Sequence, residues 1–547
     1  MPPSVPSLVL SVRVMYHGGS MKIELTAPLA NDLVAASPSD ERAVRRASMY
    51  DKNAFTIDHE ALSRAALDAL YEIAKKHGER GLMMQLTSLR NVLAAPATSK
   101  LGNLKALEPG LIAYLQHECI DGWLYRYGVG GEAVPFLVTS VEFQPADPRN
   151  ERPAYVKVGY CWNAMGGFHQ EQMRFELSDV QGKTIPEVLA KYQFVHESPE
   201  LKEAYSAHLA RYLELRDLHG KQFRCTGLAI TAERYGRSDY KAAGARMVND
   251  EDTVPRKDYR VGFSGSVRLR ASMEDDEVFS TVPMHPFIFM YDLHRHMHAW
   301  VHASKVEIYK YDKSVGAKLV LPEVHRDLVD VLTQDMDVLV EDIVEGKSGG
   351  TIVLCKGGPG LGKTLTAEVY SEIAERPLYR VHSGQLGVEA AALEKQLGTV
   401  LDRAKRWGAI LLIDEGDVYV RARGNDLDHN AVVAVFLRVL ETFDGLLFMT
   451  TNRGDEIDDA IVSRCIAVIR YEKPNEEDCK RLWRILSTQF GAELSDQLID
   501  ELVASFGCLA GRDIKGLLKL TVKFCRRRNE PFSVETFRRC GQFRGLV

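Results

Sequence analysis

Leu62, Ala66, Leu70 and Ile73 recur at helical spacing with polar positions between them, which lays one apolar stripe along a helix. The same pattern holds through most of Ile23–Ala95, and it predicts a mainly helical region over residues 21–145, after a flexible leader over 1–20. The polar, proline-bearing run Ala146–Pro153 marks a surface loop. Beyond it the pattern becomes strand-like. Tyr155–Cys161, Gln222–Ala232 and Tyr259–Arg270 suit a sheet or barrel, with a helix at Ser198–Leu218 between them. Lys241–Pro255 reads as a turn-rich crossing, and Pro286–Tyr311 returns to strands. Residues 146–311 therefore form a strand-rich region, and residues 312–322 link it to the remainder.

After that linker, Thr351–Cys355, Ala409–Ile413 and Leu446–Thr451 are short, largely apolar runs of the kind a buried parallel strand needs. A helical pattern covers Lys363–Glu375. Composition changes this picture little. The 547 residues exceed what one hydrophobic core holds, so two to four domains are expected. A hydrophobic fraction of 45%, a charged fraction of 26% and a net charge of −6 are those of an ordinary water-soluble chain. No run approaches the eighteen apolar residues of a membrane span. Leu8–Leu10 is apolar but lacks the basic start of a secretion signal, and Met15 and Met21 are alternative starts. Nine cysteines without a CxxC pair point to a reducing compartment, the cytoplasm, and away from structural zinc.

The candidate chemistry begins between the first buried strand and its helix. Gly357, Gly358, Pro359, Gly360, Leu361, Gly362, Lys363 and Thr364 spell a complete phosphate-binding loop. Its glycines let backbone N–H groups turn toward phosphates, and the following helix adds its positive end. Lys363 is expected to reach the β- and γ-phosphates of ATP, and Thr364 to offer its hydroxyl to Mg2+. The strand Ala409–Ile413 delivers Asp414 and Glu415 to the carboxyl edge of a sheet, where open α/β sheets bind ligands. Asp414 is a second holder of Mg2+, and Glu415 is placed to orient and deprotonate the attacking water. Asn452, at the end of the third strand, suits the alignment of that water. Arg464 is expected to point at a neighbouring copy's γ-phosphate or else to pair locally with Asp458 or Asp459, and Arg512 to reach back to ATP.

With those residues in view, the segment Leu319–Gly541, about two-fifths of the chain, resembles the AAA+ ATPase module. Gly357–Thr364 matches its Walker A motif and Leu411–Glu415 its Walker B motif. Asn452, Arg464 and Arg512 fall where that family has its first sensor, arginine finger and second sensor. Phe436–Glu441 and Thr451–Arg453 resemble a subgroup with long front regions found in fungi and bacteria. The resemblance implies an α/β, doubly wound parallel sheet of P-loop type over residues 323–472 with a helical lid over 473–547, preceded by a mixed α+β, strand-rich front. It further implies a homo-oligomeric ring, usually a hexamer, that hydrolyses ATP with Mg2+ between subunits to remodel or disassemble a protein partner. Two departures stand out. Gly384–Ala392, where such rings carry a gripping aromatic, has none, and Val462–Ile466 offers one clear arginine, with Arg470 weaker.

Other patterns compete with this reading. Ten basic residues against three acidic ones across Ser505–Val547 could meet DNA or RNA, as a nucleic-acid motor or loader would require, but aromatics for stacking are sparse and the whole chain is acidic. An ATP-dependent assembly switch with slow turnover is a further alternative. His294, His296, His298 and His302 fall on alternate positions, so a strand would place them on one face, facing a partner, solvent or, with His285, a metal.

Overall fold

Tertiary pairing, more than local propensity, decides the front half. The computed structural model describes residues 15–17, 20–49, 54–58, 61–83, 86, 100–101, 104, 107, 111, 114–115, 118–128, 131–147, 151–231, 239–254, 282–334, 350–387, 389–454 and 456–546. A first sheet pairs Met15–His17, Ser20–Thr26 and Ala54–Asp58, and the helix Arg64–Lys76 packs its Leu67, Leu70 and Ile73 stripe into the same core as Ile23 and Leu25. Both longer strands fall inside a stretch whose spacing predicts helix. Alternations of seven and five residues are too short to outvote the helical spacing around them.

A second antiparallel sheet runs in the order Gly167–Glu176, Tyr155–Ala164, Ala133–Gln144, Trp123–Tyr127 and Phe194–Val195. The helix Pro199–Arg216, capped by the Ser198 hydroxyl accepting from the Leu201 N–H, lays Leu201 and Tyr205 against Trp123 and Tyr125. The third sheet has seven antiparallel strands, ordered Asp239–Lys241, Leu228–Thr231, Met297–His302, Phe287–Asp292, Ala245–Asn249, Gln222–Cys225 and Val306–Ile308. Ala245–Asn249 corrects the expected turn-rich crossing: it pairs with Gln222–Cys225 on one side and Phe287–Asp292 on the other. The histidine pattern is also corrected. His294 and His296 occupy the turn at 293–296, and only His298 and His302 lie on the strand Met297–His302. Tyr259–Arg270 lies outside the described residues.

Five parallel strands follow: β1 Thr351–Gly357, β2 Leu378–His382, β3 Ile410–Asp414, β4 Leu446–Thr451 and β5 Ala467–Tyr471. Their order across the sheet is β2-β3-β4-β1-β5, with every pairing parallel. The helices Lys363–Ile373, Ala390–Arg406 and Leu427–Leu440 flank it, so β3 and β4 are buried along their whole length. The fold is thus a P-loop-like parallel sheet with flanking helices, behind a mixed α+β, antiparallel front. Helices Glu476–Gln489, Asp496–Phe506, Gly511–Arg528 and Val534–Gln542 enclose a separate core around Trp483 and Phe537. No helix among the described residues is long and apolar enough to cross a membrane.

The front sheet and the parallel sheet share a core. Val248, Tyr291 and Leu293 belong to one apolar cluster with Tyr379, Leu401 and Trp407. Inside this contact Asp250 is buried, accepting from Trp407 Nε1 at 2.7 Å and from the Arg406 guanidinium at 3.0 Å, with His298 Nε2 2.7 Å away. Burial alone would raise the Asp250 carboxyl; hydrogen bonds from His298 and Trp407 and the Arg406 charge outweigh it and hold the carboxyl below its ordinary value.

Candidate active site

The site forms where β1, β3 and β4 end together. Leaving β1, the chain turns at Gly357 with φ 151°, where a Cβ would collide with the Tyr471 backbone of β5. Gly360 has φ 80°, and a Cβ there would lie 2.7 Å from the Arg512 side chain. The loop thus owes its shape to glycine at both points, and the second presses it against Arg512. Lys363 opens the following helix and folds back: its Nζ donates to the carbonyls of Gly357 (2.8 Å) and Gly358 (2.6 Å) and to Asn452 Oδ1 (2.9 Å). Burial lowers the pKa of its ammonium, and the Arg512 charge lowers it further.

The acids are held by hydroxyls. Asp414 ends β3, and its Oδ1 accepts from Thr364 Oγ1 at 3.0 Å and from Thr450 Oγ1 at 2.5 Å. Its Oδ2 accepts from the Arg380 guanidinium at 2.5 Å. Burial would raise this carboxyl, but the hydroxyls of Thr450 and Thr364 and the Arg380 charge keep it below its ordinary value. Glu415 is exposed and has φ 57°, a left-handed conformation that a non-glycine residue adopts at a cost of order 1–3 kcal/mol. Its N–H donates to Thr450 Oγ1 at 3.0 Å, which fixes the turn. The Asn452 N–H and the Thr451 hydroxyl both donate to Asp417 Oδ1.

Lys363, Thr364, Asp414 and Asn452 therefore converge, with Glu415 beside them and Arg512 over the loop. The Thr364 hydroxyl and Asp414 carboxylate form the hard oxygen donor pair that suits Mg2+. Arg464 stands apart. Its Nε lies 3.1 Å from Glu441 Oε1, and one terminal nitrogen donates to the Ala460 carbonyl at 3.0 Å. Asp458, one of its expected partners, instead binds Arg423, whose Nε is 2.8 Å from Oδ2. Arg470 is exposed on β5. Sequence reasoning missed three contributors: Thr450, Asp417 and Arg380. A hydroxyl pair closing an apolar strand, and an arginine inside the strand Leu378–His382, were the available signals.

With this geometry in place, the comparisons agree on a class. Residues 353–473 match the family "ATPase family associated with various cellular activities (AAA)". An uncharacterized AAA family ATPase, y4kL of Sinorhizobium fredii, is 30% identical over 144 residues, which cover 24% of this chain and 42% of that protein. Spastin of Sus scrofa is 26% identical over 178 residues, covering 30% of this chain and 29% of spastin. The chain thus spans less than half the length of either relative. A chain of the E. coli MS115-1 HORMA:CdnC:Trip13 complex overlaps 42% of this chain and 90% of its own length at 18% identity, with a TM-score of 0.33, a likeness too loose to argue from. The chain carries an AAA+ ATPase domain related to bacterial and eukaryotic members of that family.

Proposed function

We propose that the chain is a Mg2+-dependent ATPase that works as a homo-oligomeric ring, a hexamer by family resemblance, and remodels or disassembles a protein partner. The observation that carries this reading is the split site: Lys363, Thr364, Asp414, Glu415 and Asn452 gather at one sheet edge, while Arg464 lies elsewhere. Lys363 and the loop N–H groups bind the phosphates of ATP. Thr364 and Asp414 are the residues to hold Mg2+, which when bound neutralises phosphate oxygens. Glu415 takes the proton of the attacking water, Asn452 aligns that water, and Arg512 lies over the loop to sense it. A neighbour's Arg464 neutralises charge on the transferring group.

The magnitudes favour this division. An arginine finger is worth about 10³–10⁵ in rate, or about 4–7 kcal/mol. The exposed Arg464–Glu441 pair is worth only about 0–1 kcal/mol, so releasing it to a neighbour costs little. The lack of an aromatic across Gly384–Ala392 argues for disassembly without processive threading. Phe436–Glu441 and Thr451–Arg453 support placement in the fungal and bacterial subgroup. A cytoplasmic setting fits nine cysteines that are all free.

Mixing tests the proposal. Arg464→Ala should keep nucleotide affinity and lose about 10³-fold or more in turnover. Glu415→Gln should bind ATP and not hydrolyse it. Mixed rings of the two should recover turnover at hybrid interfaces that pair an intact Glu415 with a neighbour's intact Arg464. Verified mixed assemblies that stay silent would count against the shared site.

A further inference from the structure

Arg380 reaches into the candidate site from β2, on the strand next to the one that carries Asp414. Its guanidinium divides between two carboxylates. One terminal nitrogen lies 2.5 Å from Asp414 Oδ2, the other 3.7 Å from Glu368 Oε1. Its Nε is buried without a partner, so neither carboxylate engages the full fork. Asp414 has both oxygens taken: two hydroxyls on Oδ1 and this cation on Oδ2. Glu368 projects from the helix Lys363–Ile373, one turn past Thr364. A divalent ion held by Thr364 and Asp414 would meet the positive charge of Arg380 at short range.

Resting on the nucleotide-site reading above, we infer that Arg380 is a tethered counter-cation that competes with Mg2+ for Asp414 and retreats to Glu368 when the metal-bound nucleotide enters. Arg380 is a positioning residue in this scheme, acting through Asp414. It makes the site selective for nucleotide that arrives with its metal, because only a divalent charge displaces the guanidinium. Glu368 supplies the resting place, so the arginine stays paired in both positions.

Equilibrium binding of a fluorescent ADP analogue at graded Mg2+ tests this without any turnover. Arg380→Gln should lower the half-saturating Mg2+ concentration by about tenfold, by removing a close like charge. Arg380→Lys, which keeps the charge, should restore most of the wild-type requirement. Glu368→Gln removes the alternative acceptor and should raise the requirement. Folded Arg380→Gln protein, verified by its thermal transition, that binds the analogue with an unmoved or higher Mg2+ requirement would overturn the role of Arg380 alone. A wild-type chain that binds no ADP at any Mg2+ concentration would overturn the nucleotide site, and this inference with it.

Discussion

Thr450 is a small residue with two duties: its hydroxyl donates to Asp414 Oδ1 and accepts from the Glu415 N–H. Thr450→Val keeps the shape, takes the acceptor from the Glu415 N–H and removes one of the two hydroxyls that serve Asp414 Oδ1. Partners of this supporting kind change activity by about 10–100-fold when removed. Thr450→Val should therefore lower kcat by that factor while ADP affinity holds, as steady-state kinetics and equilibrium binding would show. At this scale legibility follows covalent adjacency. Gly357–Thr364 and Asp414–Glu415 can be read as candidates because each motif is contiguous in the chain. Thr450 and Arg380 reach Asp414 only through the pairing of three strands, and no spacing along the chain announces that alignment. Arg464 shows the same limit, since Glu441, its partner, lies 23 residues away on another element.

The helix Lys363–Ile373 joins two functions at its ends. It is eleven residues long and spans about 16 Å. Lys363 and Thr364 face the candidate site at one end. Near the other, Glu372 is buried and accepts from the Tyr309 hydroxyl at 2.7 Å, the Asp312 N–H at 3.0 Å and the Arg246 guanidinium at 3.1 Å. Tyr309 and Arg246 belong to the front half and Asp312 opens the linker, so the front half grips the helix directly. Glu372→Ala strands those donors and should cost about 1.5–3 kcal/mol, read as a lower denaturant midpoint at constant slope. Elements were legible where one pattern ran unbroken, as in the helix Pro199–Arg216 and the short but nearly continuous apolar runs of β1, β3 and β4. Ala245–Asn249 was not. Gly244, Asn249 and Asp250 surround Met247 and Val248 with turn formers, and only the strands on either side recruit the segment into the sheet.

Across the whole molecule, buried histidines set an acid limit. Burial pushes His285 down to about 3 and His302 to about 4, from an ordinary value near 6.5. His285 Nε2 lies 2.8 Å from the Pro135 carbonyl, so its neutral N–H form is the one the fold retains. The unfolded chain takes up protons at these sites below about pH 6.5 while the folded chain does not, so stability is full above that value and falls as pH drops toward 4. Thermal transitions should move down steadily between pH 7 and pH 5, and His302→Gln should flatten that slope.

The shared cluster of Val248, Tyr291, Tyr379 and Trp407 has a practical bearing on how the protein can be handled. Severing the chain near residue 312 to obtain a tidy catalytic fragment would strip the cover from a tryptophan and a tyrosine and leave both wet. Such a fragment would be sticky for reasons unrelated to its chemistry, and sluggish behaviour in isolation would say little about the intact machine. The front sheet is a wall of the engine's housing, and it belongs in every preparation meant to measure the engine.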